Sequence, residues 1–126
     1  MALFDTEFLS LSCADIQVEK QWWIRIFDCK EVAVPADWDD SLPSDIALKL
    51  PGDEDPTILL SDKREVQEAG YERSNDHPLI FCTNLKKVQE YLRTRGVAPA
   101  QIQGDVTPFF ELSDPEGSII EICKES

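Results

Sequence analysis

The chain contains one histidine, His77, in 126 residues, and its four cysteines (Cys13, Cys29, Cys82 and Cys123) show no C-x-x-C spacing. A structural zinc site and a disulfide framework are therefore not expected, and the cysteines read as buried thiols. Basic residues are scarce too: 12 Lys and Arg stand against 25 Asp and Glu, a formal net charge of −13. Such a surface repels phosphate backbones, which argues against nucleic acid and anionic membrane as partners. It attracts cationic small molecules, although acidity also serves solubility alone. No apolar run approaches the roughly 18 residues needed to cross a bilayer. The opening "MALFDTEFLS" lacks the basic start and long apolar middle of a secretory signal, so a cytoplasmic protein is expected. A Ser-His-Asp arrangement, a phosphate loop and a nucleotide-binding glycine pattern are missing as well.

What is present is a 42% apolar composition in a chain of single-domain length, enough to bury a core. "EFLSLSCA" (7–14) alternates as a strand does. Asp15 then reads as an N-cap of a helix "IQVEKQWWIRIF", with Val18, Trp22 and Ile26 at four-residue steps and Trp23 paired to Phe27 in the same way. Three strands follow at 31–36, 45–50 and 57–61, separated by acidic, Pro-bearing loops that include "DWDD" and "GDEDP". A polar segment, 62–76, reads as a connector with room for one helical turn.

The order then begins again. "HPLIFCT" (77–83) is a strand, Asn84 a second N-cap, and "LKKVQEYLRTRG" (85–96) a helix stopped by Gly96. Strands are predicted at 97–102, 108–113 and 118–123. Cys82 matches Cys13, Asn84 matches Asp15 and His77 matches Phe8, an offset of about 69 positions that marks an internal repeat. The expectation is an α+β fold of two tandem β-α-β-β-β modules forming one domain over 1–126, with module one at 5–62, the connector at 63–76 and module two at 77–126. Curved sheets from two such modules enclose a cup.

The last hairpin, "LSDPEGSIIEI", places an Asp-Pro-Glu-Gly turn between two strands, and Glu121 stands between Ile120 and Ile122. If the isoleucines face the core, Glu121 faces the other way, with Ile119 and Cys123. This hairpin at the end of a duplicated module, together with the capped helix bearing Trp22 and Trp23, resembles the vicinal oxygen chelate superfamily over nearly the whole chain. That superfamily includes glyoxalase, extradiol dioxygenases, and the bleomycin and fosfomycin resistance proteins. The resemblance implies a ligand site inside the cup. In members with a metal, His, Gln or Glu at the start of each module's first strand and a Glu on the last strand hold a divalent ion that chelates substrate oxygens.

Carried over by position, His77 and Glu121 fall on two metal-ligand places, and Phe8, which cannot ligate, falls on a third. The three-ligand site is therefore expected to be incomplete, and no cofactor is expected; a divalent metal held by His77 and Glu121 is the alternative. The pocket is expected to combine Phe8 and Leu60 with a His77–Glu121 pair. Three readings follow. In the first, the protein binds a small amphiphilic or cationic molecule without transforming it, as a bleomycin resistance protein does. The second is a divalent-metal lyase, isomerase or dioxygenase, and the third is metal-free acid–base catalysis by the same two residues. The missing donor at Phe8 and the acidic charge place binding first. A homodimer is expected, because the sheet edges otherwise stay unpaired.

Overall fold

The structure is a computed structural model that describes residues 4–5, 8–38, 41–71, 78–98 and 100–124. Eleven elements follow along the described chain: β1 (Phe4–Asp5), β2 (Leu9–Cys13), α1 (Ile16–Phe27), β3 (Lys30–Val32), β4 (Ile46–Lys49), β5 (Ile58–Asp62), α2 (Lys63–Ala69), β6 (Leu79–Cys82), α3 (Leu85–Arg93), β7 (Phe109–Ser113) and β8 (Ile119–Lys124). The helices start where short polar side chains can satisfy free amides. Asp15 accepts from the Val18 N–H at 3.2 Å and Asn84 from the Lys87 N–H at 3.1 Å. Asp28 ends α1 in the left-handed region at φ 56°, and its carboxylate pairs with Arg95 at 2.7 Å.

Two four-stranded sheets result, in the orders β2-β5-β4-β3 and β1-β6-β8-β7. Each pairs the first strand of its repeat parallel to the last, β2 with β5 and β6 with β8, and then continues antiparallel. The sheets are open, not closed barrels, and the arrangement is the expected α+β fold with a cup. Three details differ from expectation. The described residues of 97–102 form no strand, and only Gln103 makes an isolated bridge, to Phe109. The sequence there includes Pro99, which has no N–H to give a ladder. On the opposite edge β1, which was not foreseen, pairs with β6. The connector also holds a full helix, α2, capped by Asp62 and ended by Gly70 at φ 71°.

The core lies between sheets and helices. Leu11, Leu48, Ile58 and Leu60 from one sheet and Ile80, Phe110, Ile120 and Ile122 from the other join Trp23, Phe27, Val88 and Leu92 in one apolar cluster. Each fully buried side chain of this kind contributes about 1.5–3 kcal/mol. Trp23 is the largest fully buried side chain, stacked on Phe27 with centroids 4.9 Å apart and edge-on to Trp22 at 5.3 Å. Cys13 and Cys82, the repeat-related thiols, are packed into the same cluster. No helix among the described residues is long and apolar enough to cross a membrane.

Candidate functional site

Side chains alternate across a sheet, so the faces turned away from the helices can be read from the strand register. On the first sheet Ser10 pairs with Leu59, Leu59 with Ala47, and Ala47 with Val32, a row of small and apolar groups. Ser12 pairs with Ser61 in the next row. Continuing the alternation back from Ser10 brings Phe8 to this side. Its ring is 54% exposed and meets Trp38, from the loop after β3, edge-on at 5.1 Å. Leu60 does not join it. That residue pairs with Leu11 and Ile46 on the helix-facing side and is fully buried in the core, so the leucine on the Phe8 side is Leu59.

On the second sheet Glu121 is half-buried, and its neighbours in register are Glu111 on β7 and Leu79 on β6. The Glu121 N–H donates to the Pro78 carbonyl at 2.9 Å, which fixes the strand against the start of β6. The Cys123 thiol donates to Glu121 Oε2 at 3.4 Å. Burial, then that hydrogen bond and the carboxylate's charge, push the Cys123 thiol up to about 11, so it remains a donor at neutral pH. The adjacent row, Phe109, Cys123 and Phe81, is apolar. His77, and with it the expected His77–Glu121 pair, lies outside the described residues.

Glu111, opposite Glu121 in register, is a side chain that the sequence reading did not single out. Directly opposed residues in an antiparallel pair have Cβ atoms about 4.5–5.5 Å apart, so two carboxylates stand side by side on the open face. The signal was present: "FFELS" carries a glutamate between Phe110 and Leu112 just as "IIEIC" carries one between Ile120 and Ile122. Folding the hairpin about its Asp-Pro-Glu-Gly turn sets the two opposite each other.

A divalent metal of the kind the resemblance implies needs three or four donors converging within coordination distance. The described residues of the cup do not fit it. Phe8 offers no donor, Glu111 and Glu121 are the carboxylates in register, and the one group of three metal-capable side chains found among the described residues is Cys13, Glu19 and Glu116, on the helix side of the first sheet. A separate open depression of about 650 Å³ lies on the outer surface of α1, lined by Gln17, Val18, Gln21, Trp22, Arg25 and Pro115.

Comparison with known proteins bears on the fold. No protein-family model matches the chain, and no curated protein sequence does either. Among solved structures, TioX from Micromonospora sp. ML1 superposes with a TM-score of 0.66 at 14% identity, covering 97% of both chains. Lactoylglutathione lyase from Agrobacterium tumefaciens matches with a TM-score of 0.64 at 16% identity, over 95% of this chain and 92% of its own. A glyoxalase/bleomycin resistance protein/dioxygenase from Nocardioides matches with a TM-score of 0.66 at 14% identity, over 95% of this chain and 82% of its own. The chain has the vicinal oxygen chelate fold. Phe8, Glu111 and Glu121 lie outside the apolar core cluster, and the identities establish shared architecture, not shared chemistry.

Proposed function

We propose that this vicinal oxygen chelate protein binds a small amphiphilic or cationic organic molecule in its cup, and does so as a two-fold homodimer. The observation that carries the reading is a division between acidic and aromatic surfaces. Glu111 and Glu121 stand side by side as an acidic patch on the second sheet, while the exposed Phe8, edge-on to Trp38, furnishes an aromatic surface beside the first. A flat or aliphatic body suits the aromatic surface, and a cationic group suits the acidic patch, whose carboxylates attract it. The net charge of −13 draws cations toward the surface, with a reach limited to about 8 Å at physiological salt.

The test is a panel of compounds sharing one aromatic body and differing in a cationic, neutral or anionic tail. Cationic members are expected to bind best, and Glu121→Gln to weaken them about tenfold, the size of one charge-assisted hydrogen bond, while leaving neutral members unchanged. Hits dominated by anions, dependent on an added divalent ion and on His77, would support instead the metal-enzyme reading in which His77 and Glu121 are ligands.

A further inference from the structure

Where the β7–β8 turn meets the start of α1, two acids are buried against each other. Glu19, in the first turn of α1, is 1% exposed, and its Oε1 accepts from the Trp23 indole N–H at 3.2 Å. Its Oε2 is buried and meets no nitrogen or hydroxyl donor; the carboxyl's other hydrogen-bond partner is the carboxyl of Asp114. Asp114 is itself buried and organises the turn. Its Oδ1 accepts from the N–H groups of Glu116 and Ser118 at 3.0 and 2.8 Å, and its own N–H donates to the Ser118 carbonyl at 2.9 Å. Glu116 reaches from the same turn to the residues that lead into α1, its two oxygens accepting from the Ala14 and Asp15 N–H groups at 3.0 and 3.1 Å. The two repeats thus meet here through a carboxyl–carboxyl contact and a carboxylate that holds two amides.

Ionised carboxyl groups only accept hydrogen bonds, so a bond between two of them contains a proton. The surroundings keep it there. Among the described residues, the groups facing Glu19 are Trp23 on its own helix, Asp114 and Glu116 on the turn, and Cys13 at the end of β2. Cys13 is 2% exposed, and burial, followed by the charges of Glu19, Glu116 and Asp114, pushes its thiol upward, so it stays neutral. β5 brings Asp62 into register with Cys13, but that carboxylate accepts from the Arg64 and Glu65 N–H groups of α2. Lys20, next to Glu19 on α1, pairs with Glu31 at 3.3 Å. The charged groups acting on Glu19 are therefore acids, and ionising it would bury a second negative charge without compensation. Burial first, then the hydrogen bond and charge of Asp114, push the Glu19 carboxyl up to about 8 from 4.5. We propose that Glu19 and Asp114 share one proton and so form a pH-sensitive latch, which fastens the second repeat's hairpin turn to the first repeat's helix and lets go in mildly alkaline solution. The strands on either side of the turn carry Glu111 and Glu121, so the latch also steadies the register that sets those two opposite each other. Because the folded value lies above the unfolded one, the latch's contribution is complete below about pH 4.5 and falls as pH rises toward about 8, by up to about tenfold per pH unit in the folding equilibrium. Above that it is gone.

The test follows the full chain by NMR and by urea denaturation from about pH 5 to about pH 9.5. The Trp23 indole N–H and the amides of Glu116 and Ser118 are expected to shift with one midpoint near pH 8, while the Trp38 indole does not. Glu19→Gln keeps an oxygen for the Trp23 N–H and gives Asp114 an N–H donor that no base removes. The variant should lose this titration, match the wild type in stability near pH 5 and unfold at higher urea than the wild type near pH 9. A wild-type Trp23 midpoint below about pH 7 would mean that the two carboxyls hold no proton between them at neutral pH, and the proposal would fail. An unchanged titration in folded Glu19→Gln, or a variant no more stable than the wild type near pH 9, would also overturn it. If Glu19→Gln does not fold, the wild-type midpoint decides alone. These readouts do not depend on a ligand, so the cup reading stands or falls separately.

Discussion

At the scale of single residues, environment decides chemistry. Cys29 is buried, and burial, followed by the charges of Asp28 and Asp53, pushes its thiol up to about 12 from an ordinary value of 9.0. Between those values the unfolded chain releases a proton that the folded chain keeps, so stability falls as pH rises above about 9. At pH 8 iodoacetamide should leave Cys29 unmodified in the folded protein and modify it fully in urea, as read by mass spectrometry. Labelling at equal rates would show the thiol to be accessible. The sequence supports part of this scale well. Glu121 between two isoleucines does face away from the core, and the four cysteines are buried. Leu60 was misplaced because "TILLS" is apolar at every central position, so its alternation marks no face; only the pairing of Leu59 with Ser10 reveals which leucine is turned toward Phe8. Glu111 required hairpin register, which is a non-local property.

At the scale of elements, capping chemistry was the most readable feature and its absence from the reading the main source of error. Asp15 and Asn84 each announce a helix and each caps one. Asp62 does the same for α2, accepting from the N–H groups of Arg64 and Glu65 at 2.8 and 3.4 Å, yet the helix escaped notice because Val66 is its one buried residue and no apolar stripe accompanies the cap. β1 was beyond local reading: two residues become a strand because Phe4 wedges between Phe27 and Tyr91, at 5.5 and 5.6 Å, and pairs with Cys82. Asp62→Ala should cost about 1 kcal/mol and speed hydrogen exchange in α2 roughly fivefold while leaving α1 unchanged. Equal acceleration in both helices would place Asp62 in global stability instead of local capping.

At the scale of the whole molecule, duplication explains why the fold was legible when details were not. Each repeat pairs its first strand with its last, and the two apolar faces close into one core. β1, β2, β3 and β7 remain as edges, each paired on one side among the described strands. Edges of this kind are commonly covered by association, and light scattering at tens of micromolar should give twice the chain mass of 14.3 kDa. A monomeric mass with native folding would remove the dimer. The central claim is that ligand enters the cup, and the direct measurement is an NMR titration of the labelled protein with the tightest cationic compound from the panel. The resonances expected to shift together are those of Phe8, the Trp38 indole, Glu111 and Glu121, with saturation at one ligand per chain. Shifts confined to Gln17, Val18, Trp22 and Arg25 would place the ligand in the depression on α1 and contradict the assignment of the site to the cup.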